Sequence, residues 1–178
     1  MSNSNHVLLD KNVARNYLAA LVKLARSTPL EASEQVAFDL LNGETLKGKR
    51  IFIVEATDTV LEGLQRKYPI IHDFRDRVEI MVPARYFKRW ARRLQEFGFT
   101  REDARVLSLG TFGTDAERSL LGVDEVLTFD RPMSNLFAEK KVKIQQRLDA
   151  FKREVEPPYN DARLPILKWL GALARKKK

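Results

Sequence analysis

Short runs of consecutive apolar residues, Val7-Leu8-Leu9, Ile51-Phe52-Ile53-Val54 and Val126-Leu127, are set between long segments of helical spacing. A strand that is apolar at consecutive positions is buried on both faces. Such strands alternating with helices predict an α/β fold, a three-layer sandwich whose central sheet is mostly parallel. The first helix is expected over residues 12–26, where Val13, Tyr17, Leu21 and Leu24 share a face. Ser27-Thr28-Pro29 breaks it, and a second helix runs to Leu41 before Asn42-Gly43. Further helices are expected over residues 57–67, 84–97, from Thr100 to the Gly110–Gly113 stretch, and over residues 132–154. Val78 to Val82 reads as another short strand. Glu156-Pro157-Pro158 marks a break, dividing the chain into a domain of residues 1–156 and a basic, partly apolar appendage of residues 157–178.

The chain has 178 residues, enough for one core without covalent or metal staples. The absence of cysteine excludes a disulfide framework, a thiolate zinc site and a cysteine nucleophile. Met1 to His6 does not read as a signal peptide, and no run approaches the roughly 18 apolar residues of a membrane span. A cytoplasmic protein with no membrane partner is the expectation. The 32 Lys and Arg residues outnumber 24 Asp and Glu, for a formal charge of +8. Such a surplus favours polyanions as partners.

Ligands of open α/β sheets bind beyond the carboxyl ends of the strands. Asp10 directly follows the first apolar run, and Asp130 follows Val126-Leu127-Thr128-Phe129. Parallel neighbouring strands would bring both to one edge. Asp103 falls in the first turn of a helix, and Glu62 about two turns into the helix after Ile51–Val54. Four carboxylates gathered in one cleft repel one another unless a cation sits among them. Oxygen donors without cysteine favour Mg²⁺ or Mn²⁺ over Zn²⁺. The same acids also have structural readings. Asp10 and Asp130 each precede a helix and suit N-caps. Thr100 and Asp103 have the spacing of a capping pair. Glu62 has the alternatives Asp58 and Glu55 for the cleft position.

Four segments in order resemble the PIN-domain family. Leu8-Leu9-Asp10-Lys11-Asn12-Val13 is similar to its opening strand ending in Asp-x-Asn. Thr59-Val60-Leu61-Glu62 resembles its second acidic motif, and Gly98-Phe99-Thr100-Arg101-Glu102-Asp103-Ala104 its third. Val126-Leu127-Thr128-Phe129-Asp130 resembles the fourth. The resemblance covers residues 7–137. It implies a PIN-like sheet of about five parallel strands and Mg²⁺- or Mn²⁺-dependent endonucleolytic cleavage of RNA. It also implies a role often played as the toxin of a toxin–antitoxin pair, and often as a homodimer. On that resemblance Asp10, Glu62, Asp103 and Asp130 are the catalytic, metal-binding acids, with Asn12 and Thr128 in support. Lys11 departs from the family pattern, where Thr or Ser is usual. A catalytically inactive PIN-like module that binds RNA or protein is the alternative reading.

Arg85, Lys88, Arg89, Arg92 and Arg93 share one face of a helix, opposite Phe87, Trp90, Ala91 and Leu94. As a phosphate-tracking stripe, Arg85, Arg89 and Arg92 join Lys11 as candidate RNA-binding residues. A solvated charged face is the structural alternative. The tail unites Ile166, Leu167, Trp169, Leu170 and Leu173 with the basic end Arg175-Lys176-Lys177-Lys178, and is expected to pack on the domain or on a second subunit.

Overall fold

The computed structural model describes residues 5–175, which form six strands and eight α-helices. In chain order these are β1 (His6–Leu9), α1 (Lys11–Ala25), α2 (Ala32–Asn42), β2 (Arg50–Val54), α3 (Glu55–Gln65), α4 (Ile70–Arg75) and β3 (Val78–Pro83). They continue with α5 (Phe87–Glu96), α6 (Arg101–Phe112), β4 (Gly113–Thr114), β5 (Glu125–Thr128), α7 (Arg131–Lys152), β6 (Ile166–Trp169) and α8 (Gly171–Arg175). One sheet runs β4-β3-β2-β1-β5-β6. All neighbours are parallel except β3 and β4, which are antiparallel. Among the described residues no helix is long and apolar enough to cross a membrane.

The doubly apolar strands lie at the centre because each has a helical layer on either side. Val7, Leu9, Ile51, Ile53 and Leu127 pack into one core with residues of α1, α2, α3 and α4. Leu8, Phe52, Met81 and Val126 point the other way, into a core built from α5, α6 and α7. Trp90, Phe112 and Phe151 meet there edge-on or tilted, with ring centroids 5.5–6.1 Å apart. Consecutive residues of one strand thus serve two separate cores, which is why no polar position interrupts the runs.

The sheet differs from the expected five parallel strands by its antiparallel edge. β4 is two residues long, too short to leave a periodic pattern. The tail, expected to pack on the domain or on a second subunit, joins the sheet itself as β6, parallel to β5 with Val126 opposite Leu167. Ile166 is 53% exposed because β6 is an edge strand, so its apolar residues do not mark a buried run. Buried Glu125 ties this edge together, with Lys168 at 2.5 Å and Lys49 at 3.6 Å. The basic end at Lys176–Lys178 and the first four residues lie outside the described residues.

Candidate functional site

The carboxyl ends of β1 and β5 lie side by side, since Leu9 is opposite Leu127. Each strand passes directly into a helix through an Asp. Asp10 caps α1, its Oδ1 accepting the Lys11 backbone N–H at 2.7 Å. Asp130 caps α7, its Oδ1 accepting the Met133 N–H at 2.8 Å. The N-cap reading and the clustering of the acids therefore hold together: capping is what fixes each carboxylate at the strand edge.

Thr128 links the two caps. Its hydroxyl donates to Asp10 Oδ2 at 2.7 Å and accepts from the Asp130 N–H at 2.9 Å. Asn12 Nδ2 donates to the same hydroxyl at 3.3 Å, and Asn12 Oδ1 accepts the Phe129 N–H at 3.0 Å. Four residues from opposite ends of the chain, Asp10, Asn12, Thr128 and Asp130, thus form one network. Thr128 is fully buried and Asp10 is 6% exposed.

Asp10 and Asp130 line a cleft of about 580 Å³ together with Asp103, Glu102 and Glu55. Asp103 reaches it from the first turn of α6, where its N–H donates to the Thr100 hydroxyl at 3.1 Å. Thr100 can start a helix there because Gly98, at φ 98°, turns the chain after α5. The floor includes the apolar side chains of Val54, Met81, Phe87 and Leu109. Burial pushes the Asp10 carboxyl above its ordinary value. The Thr128 hydroxyl and the Lys11 N–H and charge oppose that rise, and the charge of Asp103 adds to it.

Glu62 stands apart from this cleft. It is exposed on α3 one turn beyond Thr59, which does line it, and its charge acts instead on Arg75. Arg75 also grips Asp58 through two bonds, at 2.8 and 3.0 Å. Of the three acids weighed for this position, Glu55 is the one in the lining, because it follows β2 without an intervening turn. Glu102 was not singled out from sequence. Its signal was adjacency to Asp103 in the first turn of α6.

Cations surround the acids. Lys11 pairs with Glu102 across the cleft, and both line it. The Lys11 ammonium holds the Glu102 carboxyl below its usual range, with help from Arg15 and Arg105. Of the expected basic stripe, Arg85 lies in the turn before α5 rather than on it, and most of the stripe is engaged elsewhere. Arg85 pairs with Glu156, Arg89 with Glu154 at 2.7 Å, and Arg93 with Glu96 at 2.9 Å. Arg89 also lies over the Phe151 ring at 4.7 Å. Arg92 is exposed, and neither it nor Arg89 lines the cleft.

The cleft offers oxygen donors only, the chemistry that suits Mg²⁺ or Mn²⁺. Among the described residues no three His, Cys, Asp or Glu side chains are grouped to hold one ion. Mg²⁺ commonly keeps several waters and takes one or two carboxylates plus substrate phosphate. The donors fit that mode rather than an all-protein cage. No protein-family model matches this chain, and no curated protein matches it.

Proposed function

We propose that this chain is a PIN-type ribonuclease that hydrolyses RNA phosphodiesters with Mg²⁺ or Mn²⁺. The observation that carries the reading is that Asp10, Asp103 and Asp130, from three distant segments, all line one cleft at the carboxyl edge of the sheet. The strand order β3-β2-β1-β5-β6 is consistent with that family's parallel sheet.

On this reading Asp10 and Asp130 are the principal ligands, and Asp103 faces them from α6. A bound divalent ion supplies charge stabilisation at the phosphoryl group and an acidified water. The chain's own residues do the rest. Thr128 and Asn12 hold Asp10 and Asp130 in register by the hydrogen bonds described. Asp103 and Glu55 are placed to accept a proton from the attacking water. Lys11 and Arg105, which line the cleft, receive the phosphate backbone. RNA is the partner this ring of cations favours. An antitoxin and a second copy belong to the reading through the family resemblance alone, and a cytoplasmic setting through the sequence expectation alone.

A second reading is a PIN-like module that binds RNA or protein without cutting it. Its support is Lys11, which places a cation beside Asp10 where the family usually has a hydroxyl. One assay separates the two: purified protein, Mn²⁺ and generic single-stranded RNA, compared with Asp10→Asn. Cleavage that needs Mn²⁺ and is lost in Asp10→Asn is the expected result. Equal cleavage by both proteins rejects the site, and RNA binding without Asp10-dependent cleavage selects the silent module.

A further inference from the structure

Beside the acidic cleft is a second cavity of about 730 Å³, and Pro83 forms a wall of both. Its size falls within the roughly 300–1,000 Å³ typical of small-molecule sites. Val82, Leu120, Leu121 and Pro158 make it apolar, while Arg85, Arg118 and Tyr159 give it two cations and an aromatic face. Tyr159 is held edge-to-face by Tyr86, with ring centroids 5.1 Å apart.

Arg118 is held there at a cost. Its φ of 56° lies in the left-handed region, which is sterically unfavourable for a residue with a Cβ. The turn that forces this is clamped from within. Asp115, 2% exposed, accepts the Ser119 N–H at 2.7 Å and the Arg50 guanidinium at 2.8 Å, as well as the Ser119 hydroxyl. Arg50 is fixed in turn by Glu79 at 2.5 and 2.8 Å. Gly122, at φ 68°, closes the turn where a Cβ would meet the Gly110 carbonyl oxygen at 2.6 Å. Among the described residues Arg118 has no carboxylate partner, and its neighbour Glu117 is not part of the cavity wall. Backbone strain persists where the surrounding structure overdetermines it, and such positions cluster at ligand clamps.

We propose that this cavity is a subsite for a nucleotide next to the scissile phosphate of single-stranded RNA. Arg118 takes the backbone phosphate, and the base lies against Tyr159 and the apolar wall. Unstacked bases of single strands are received on aromatic faces while cations track the backbone. The shared wall at Pro83 lets one strand occupy the cleft and the cavity together. This inference rests on RNA being the substrate.

The test is fluorescence anisotropy with a labelled ribonucleotide strand of about ten residues, in chelator so that it stays intact. Arg118→Gly deletes the cation and relieves the left-handed backbone. It should bind several-fold more weakly, with a salt slope lower by about one and no loss of thermal stability. Arg118→Lys should retain most of the affinity. Unchanged affinity and slope in Arg118→Gly overturn the subsite, even if cleavage depends on Asp10. Weakened binding by Arg118→Gly with cleavage indifferent to Asp10→Asn keeps the subsite and overturns the nuclease. A wild-type protein that binds no RNA in chelator overturns the subsite, and the nuclease is then judged by Mn²⁺-dependent cleavage alone.

Discussion

At the scale of single residues, Asp10 serves two ends that oppose each other. As a cap and hydrogen-bond hub it organises the junction of β1 and α1, and as a buried carboxylate it resists ionisation. Its folded-state value is raised by burial, so the folded chain holds that proton more tightly than the unfolded chain does. Stability from this source is full below the unfolded value, is lost as pH rises through the folded value, and stays lost at neutral pH. Asp10→Asn removes the buried charge and gives up one of the two acceptor oxygens, its amide NH2 replacing the oxygen that accepts the Thr128 hydroxyl. The variant should therefore melt above the wild type at pH 7, and the gap should close below about pH 4. Mn²⁺ should raise the melting temperature of the wild type and leave Asp10→Asn unmoved, since only a ligand bound to the folded site stabilises it. Asp10, Asn12, Thr128 and Asp130 were legible in sequence because each lies within three residues of a strand end. Glu62 was not placed correctly relative to the cleft by spacing alone. A shift of one helical turn separates Thr59 from Glu62, and where β2 ends decides which turn faces inward.

At the scale of elements, the site depends on where helices begin. Three of the acids stand at or just inside an N-terminus, Asp10 before α1, Asp130 before α7 and Asp103 in the first turn of α6. Thr100 starts α6 through its bond to the Asp103 N–H. Thr100→Ala should cost about 1 kcal/mol of stability, read by denaturant unfolding. It should also lower Mn²⁺-dependent cleavage, because the turn that presents Asp103 and Glu102 frays. An effect on stability with cleavage per folded molecule intact would separate the cap from the site. The long helices were visible as periodic patterns, whereas α4, β4 and β6 were not. Each is short, and α4 and β6 directly follow Pro69 and Pro165.

At the scale of the molecule, the tail belongs to the sheet. A chain ended after Leu164 loses β6 and α8, opens the hydrogen-bonding edge of β5, and strips Lys168 from buried Glu125. It should melt lower than the full chain and associate in light scattering, as an uncovered parallel edge invites. A dispensable appendage would leave both measurements unchanged.

The amino-acid sequence alone determined that the central strands are buried on both faces, and hence that helices must cover a mostly parallel sheet. It determined too that Asp10 and Asp130 end strands, because a capping Asp follows an apolar run at both places. Tertiary structure alone decided that these strands are neighbours, that Glu55 rather than Glu62 turns to the cleft, and that residues 166–169 complete the sheet. Local pattern reports what a residue needs from its immediate surroundings. Which distant segment meets that need depends on strand order and register, fixed only when the whole core closes.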